Sequence, residues 1–174
     1  MAITTVTTSA QPLNLVFELE GVDRVLDQIS DYKGRLTDFR PAWEKVLLYL
    51  RQAMVNQFAS EGGRGGSPWQ RLSPEYELEK TITHPGMPIL RRDDVMFLSL
   101  TTETEESFIE SDPLSFAFGT RDFKAPIHHY GKGNMPVREI LVLTDEDKRA
   151  IERFIFDHVN GGAGLGLVSI IGLE

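Results

Sequence analysis

The chain of 174 residues contains no cysteine, which excludes a disulfide framework and any zinc site built from thiolates. No uninterrupted apolar run approaches the roughly 20 residues that a membrane-spanning helix needs. The first twelve residues, MAITTVTTSAQP, lack the basic start and apolar centre of a secretory signal. We therefore expect a soluble, non-secreted protein that makes no membrane contact.

Basic residues are scarce relative to acidic ones. Lysine and arginine number 18 against 26 aspartates and glutamates, which gives a net charge of −8 and a pI of about 5.0. Affinity for nucleic acid phosphates comes from lysine and arginine side chains that displace counterions. The excess of acidic residues therefore argues against a protein that binds DNA tightly.

The motifs of common catalytic sites are also missing. No Gly-x-Ser-x-Gly elbow occurs, and neither the 62–66 nor the 161–164 glycine segment leads into Gly-Lys-Ser/Thr. Both glycine segments are better explained as flexible breaks. We expect no enzymatic activity and no cofactor.

The adjacent histidines 128 and 129 raise the question of a metal site, with His84 or His158 and Asp122 as further ligands. If His128 and His129 lie on a strand, their side chains point to opposite faces and chelate poorly. Histidines with a structural role are therefore favoured over metal ligands.

The overall composition is typical of a globular protein, with 41% hydrophobic and 25% charged residues. We expect an N-terminal arm over residues 1–12, a single α+β domain over 13–160 and a glycine-rich C-terminal arm over 161–174. The threonine-rich first arm would become a strand if a neighbour offered it a sheet edge.

Periodicity and capping signals place the elements of this domain. Alternation predicts a strand over 13–20, and apolar spacing of three and four predicts helices over 22–36 and from Pro41 to Phe58. Ser73-Pro74-Glu75 begins a further helix, and a short helix is expected within 89–100.

In the second half, two strands surround a Ser111-Asp112-Pro113 turn. Residues 140–143 are expected to add a third strand to a small, mostly antiparallel sheet. Thr144 caps a last helix that ends at Asn160. The stretch 116–143 is therefore interpreted as a strand, an exposed loop and a further strand.

The final segment, GAGLGLVSIIGLE, is apolar and strand-prone, and such a segment usually has to be covered. We expect it to dock on its own sheet or on a neighbouring subunit.

Four pieces of the sequence resemble a known family. They are SPWQRLS over 67–73, FGT over 118–120, APIHHYG over 125–131 and MPVREILVLT over 135–144. In this order they are similar to the phage virion morphogenesis family, also called the tail completion family, which includes the Mu-type G and P2-type S proteins. The resemblance spans roughly Phe58 to Val159. Asp93-Asp94 departs from the pattern, since it stands where a Thr-Gly-like pair is usual.

The resemblance implies a structural virion protein of the neck or tail end, with no catalysis. It implies a ring, expected to be a hexamer, that terminates or completes the tail and joins it to the head. The implied partners are other copies of the chain, the tail tube protein and neck or connector proteins, and DNA passes through the bore without specific binding. The protein is then located in the virion, and in the host cytoplasm during assembly.

Two alternatives stay open. One is a head-side connector or stopper ring, and the other is a small metal-dependent hydrolase using His128, Asp122 and His129. Arg138 is expected either to form a salt bridge within or between subunits or to be an ordinary surface arginine. The candidate residues for contacts with subunits or partners are Trp69, His128, His129, Tyr130, Arg138, Leu165, Leu167, Val168, Ile170 and Ile171.

Overall fold

The computed structural model describes residues 2–7, 15–20 and 22–161, and it confirms the expected α+β class. The described residues form six α-helices and two separate two-stranded sheets. No helix in these ranges is both long and apolar enough to cross a membrane. In chain order the elements are β1 (Ala2–Thr7), β2 (Leu15–Glu20), α1 (Val22–Thr37), α2 (Arg40–Ala59), α3 (Pro74–Thr83), α4 (Val95–Thr101), β3 (Ser107–Ser111), β4 (Phe116–Thr120), α5 (Lys124–Tyr130) and α6 (Asp145–Val159).

The threonine-rich N-terminal segment forms β1 and pairs antiparallel with β2, with Ala2 opposite Glu20 and Thr7 opposite Leu15. The edge that this segment needs is therefore supplied by its own chain. The strand predicted over 13–20 is present as β2.

The core is organised on α2, whose first turn holds Pro41. Phe58, near the end of this helix, packs edge-on against the rings of Trp69 and Phe97, with centroids 5.3 and 5.4 Å away. Such edge-on pairs add to the free energy gained by burial. The buried cluster comprises Ala53, Met54, Phe58, Trp69, Ile89, Met96, Leu100, Ala125 and Ile140.

The hairpin predicted in the second half is confirmed as β3 and β4. Ser107 lies opposite Thr120 and Ser111 opposite Phe116. The turn is closed by the Asp112 N–H, which donates to the Ser115 carbonyl at 2.9 Å.

The expectation of strand, loop and strand over 116–143 is wrong after β4. Residues 124–130 form α5, so both histidines lie on a helix. The local signals for this helix are Pro126, which is tolerated in a first turn, and Gly131, which ends the helix with a φ of +64°.

The third strand expected over 140–143 does not form in the described chain. At the start of this segment the backbone groups form hydrogen bonds with side chains and not with a neighbouring strand. The Ile140 N–H donates to His129 Nδ1 at 3.0 Å, and the Glu139 carbonyl accepts from both Gln57 and Trp69. With these groups bonded, this backbone does not need a sheet.

The helix expected within 89–100 begins only at Val95. Leu90 and Asp94 have φ values of +61° and +57°, which an α-helix cannot contain. The preceding turn is held by Arg91, whose guanidinium forms two 2.8 Å bonds to Asp94.

Candidate assembly surfaces

A cleft of about 1110 Å³ opens between the segment after Trp69, the turn before α4 and the loop after α5. Its wall is basic, with six lysines and arginines against the single carboxylate of Asp93. This composition is unexpected in a chain with a net charge of −8. The basic wall consists of Arg71, Lys80, Arg91, Arg92, Lys124 and Arg138.

Arg138 is 3% exposed, so it is not a surface arginine. Its Nε donates to the Gln70 carbonyl at 2.9 Å, and a terminal nitrogen donates to the Arg71 carbonyl at 3.3 Å. Within the described ranges no carboxylate lies at ion-pair distance from it, so a salt bridge between subunits stays a prediction. Burial lowers the pKa of the Arg138 guanidinium.

Lys80 of α3 forms the other buried part of the wall. Its ammonium donates to the Pro88 carbonyl, which ties α3 to the turn before α4. Burial lowers the pKa of Lys80, and the charges of Glu61 and Asp94 act in the opposite direction. Like Arg138, Lys80 bonds to a neutral carbonyl and forms no ion pair with a carboxylate of the described residues.

The two histidines have different environments. His128 lines the cleft, and its buried Nδ1 has no hydrogen-bond partner in the described chain. Burial lowers the pKa of His128, and the nearby Arg138 charge lowers it further. His129 instead accepts the Ile140 N–H, and its ring lies edge-on to Tyr130 at 4.7 Å.

No group of three or more metal-ligating side chains occurs among residues whose placement is described. Because His128 and His129 lie on a helix, the expectation that a strand would point their side chains to opposite faces does not apply. His129 Nδ1 is already engaged with the backbone, which leaves that atom unavailable to a metal.

Trp69 is buried beside Phe58, and its indole N–H donates to the Glu139 carbonyl at 2.9 Å. Gly62 lies against this ring, so closely that a Cβ at residue 62 would come within 2.5 Å of it. Tyr130 is 68% exposed and remains accessible. The five C-terminal candidates, Leu165, Leu167, Val168, Ile170 and Ile171, lie outside the described residues.

The sequence did not reveal that the apolar stripe of α1 is exposed. Leu26, Ile29, Tyr32 and Leu36 recur at helical spacing and are 44 to 59% exposed. The C-terminal end of α1 is held by α6, since Arg35 Nε donates to the Val159 carbonyl at 2.9 Å. This exposed face, defined by these four residues, is called the α1 apolar face below.

A comparison with models of protein families matches residues 17–160 to the phage virion morphogenesis family. The match covers more than half of the chain and includes α1 to α6. Searches among curated proteins and among solved structures each found no match.

Proposed function

The chain belongs to the phage virion morphogenesis family, and from this membership we propose that it forms a ring at the neck or tail end of the virion. The family gives the chain a structural or assembly role in the virion. The proposed ring terminates or completes the tail and joins it to the head. Its subunits are expected to number six, and they contact the tail tube protein on one side and neck or connector proteins on the other.

The observation that carries the proposal of self-assembly is the α1 apolar face. Burying a large apolar side chain contributes about 1.5–3 kcal/mol, and contiguous exposed apolar patches mark interaction surfaces. In a ring each contact joins two different patches, so this face has to meet another part of the next subunit.

We propose that the C-terminal segment of the neighbouring subunit covers this face with Leu165, Leu167, Val168, Ile170 and Ile171. Gly161 lies beside the Arg35 guanidinium, so the segment starts at the C-terminal end of α1. Residues 162–174 number 13, and an extended segment of this length spans about 43 Å. The 16 residues of α1 span about 24 Å, so the segment is long enough to extend past the far end of this helix.

The net charge of −8 supports the passage of DNA through the bore without binding, because like charges oppose contact with phosphates. A bore lined mainly by lysine and arginine in an assembled ring would contradict this part of the proposal.

The test is to incubate the purified protein separately with tail tubes and with portal-bearing heads, and to examine both by electron microscopy. Rings at tube ends support the proposal, whereas binding only to heads favours the head-side connector or stopper. The hydrolase alternative requires His128. In phage carrying His128→Ala, a loss of infectivity with normal particle numbers, protein content and self-association would therefore favour the enzyme, whereas a loss of self-association would favour the structural role.

A further inference from the structure

The charge of the basic cleft is only partly balanced within one subunit. Arg91 is paired with Asp94 and Lys124 with Asp93, each at 2.8 Å. Arg71 is largely exposed, and its nearest carboxylate oxygen, on Glu61, is 3.7 Å away.

Three further cations of the wall have no ion-pair partner among residues 22–161. Arg92 is exposed, while Lys80 and Arg138 are buried and bond to carbonyl groups. Burying a charge without a counter-charge is costly, so a carboxylate that entered the cleft would be attracted to all three groups.

An unbalanced acidic segment follows α4. Residues 102–106, TETEE, include Glu103, Glu105 and Glu106, and every residue of this loop is exposed. Glu103 approaches Arg51 only to 3.7 Å, and the other two glutamates form no ion pair within the described ranges.

The acidic loop is fixed in position at its end. The Arg121 N–H donates to the Glu106 carbonyl at 2.7 Å. The adjacent Ser107 hydroxyl donates to the Ser99 carbonyl of α4 at 2.8 Å. The loop is therefore presented by the α4 and β3 backbone.

The cleft and the acidic loop lie at opposite ends of α4, because Arg92 precedes this helix and Thr102 follows it. Seven helical residues separate the two by about 10 Å along the axis. Two complementary patches at different places on one subunit can meet between copies arranged head to tail, which is the contact that closes a ring.

We propose that the basic cleft receives the acidic loop, residues 102–106, of the neighbouring copy. This inference rests on the proposed ring and names one of its contacts. In a ring of identical copies there is one acidic loop for each cleft. DNA is a less suitable occupant, because the net charge of −8 opposes the binding of a long polyanion. The contact also covers the basic surface, which is then unavailable to DNA in the bore.

Charge reversal with rescue tests the contact. Arg92→Glu and the double variant Glu105→Lys/Glu106→Lys should each weaken self-association about tenfold or more, and their combination should recover most of the loss. Self-association is measured by sedimentation at low and physiological salt. Arg149→Glu, which reverses an exposed charge on α6, is the control. The contact would be overturned if the charge-reversed variants formed intact rings and associated as strongly as the control, or if combining the reversals did not restore self-association. Either result would leave the proposed ring in place.

A peptide of residues 101–107 separates the contact from the ring. In NMR titrations of the full chain, the peptide should shift signals of Arg92 and His128, and a peptide with its three glutamates replaced by glutamine should not. If the protein stays monomeric yet these shifts occur, the cleft remains an acceptor for the acidic loop and the ring fails. Absence of the shifts, or equal shifts with a DNA oligonucleotide, would overturn the inference.

Discussion

At the scale of single residues, Asp147 joins three parts of the chain. Its carboxylate accepts the Tyr49 hydroxyl at 2.9 Å, the Arg64 guanidinium and the backbone N–H of Thr144 at 2.7 Å. Burial alone would raise the pKa of Asp147, but these bonds, together with the Thr144 hydroxyl and the Arg64 charge, hold the pKa below its ordinary value. The charged form of this buried carboxylate therefore stabilises the fold.

Asp147→Ala should lower the free energy of unfolding by about 3–5 kcal/mol, because Arg64 and Tyr49 lose a buried partner. Asp145→Ala, in the exposed first turn of the same helix, should change the free energy of unfolding by only about 0.5 kcal/mol. Urea unfolding at one protein concentration measures both.

The pH dependence gives a second check on the same variant. A depressed folded-state pKa contributes stability that is present above the ordinary aspartate value of about 3.9 and is lost as the pH falls through the folded pKa. The parent should therefore lose more stability than Asp147→Ala on acidification. Equal losses in the two proteins would show that Asp147 is not stabilised in its charged form.

Gly62 tests the packing of Trp69. Its φ is +90°, and an added Cβ would meet the indole ring at 2.5 Å and the Ser67 carbonyl oxygen at 2.9 Å. Gly62→Ala should lower the free energy of unfolding by roughly 2–4 kcal/mol, the sum of backbone strain and overpacking. Gly66 has a similar φ of +87° but open space around it, so Gly66→Ala should show the backbone part alone. Equal effects in thermal unfolding would contradict the close approach of Gly62 to Trp69.

At the scale of elements, the sequence predicted the helices and turns whose ends are set by local signals such as caps and apolar spacing. The apolar stripe of α2, the Ser73 cap of α3, the β3–β4 turn and the Thr144 cap of α6 were all predicted and are present. The segment over 124–143 was not predicted, because its backbone depends on distant side chains such as Gln57 and Trp69. The cleft brings Arg71, Arg92 and Arg138 together across the fold, which spacing alone cannot indicate.

The α1 apolar face predicts a variant that folds but assembles poorly. Leu26→Gln combined with Ile29→Gln should leave the circular dichroism spectrum nearly unchanged, because both side chains are already exposed. The variant should weaken self-association by at least about tenfold, since two large apolar contacts are lost. Leu48→Gln, at an exposed position of α2, is the control. Unchanged association of the double variant in sedimentation would remove the α1 apolar face from the interface.

The cysteine-free chain allows a direct test of what covers this face. A protein carrying Ile29→Cys mixed with one carrying Ile170→Cys should form an intermolecular disulfide under mild oxidation, visible as a dimer on a non-reducing gel. Ile29→Cys with Lys148→Cys, on the exposed surface of α6, is the control pair. Cross-linking only within a doubly substituted chain would show that the C-terminal segment covers its own subunit.

At the scale of the whole molecule, charge and apolar surface are distributed unevenly. The net charge is −8, yet six cations line one cleft, and the acidic loop lies at the other end of α4. The α1 apolar face is separate from both. Head-to-tail contacts require such different, complementary patches on one subunit.

The most direct test of the proposed ring is electron microscopy of the purified protein, with class averages that resolve its symmetry. We expect closed six-fold rings with a central channel, in which the cleft of each copy faces the next copy. A protein that remains monomeric at the highest concentrations, or that forms only two-fold dimers through one shared patch, would contradict the proposed ring.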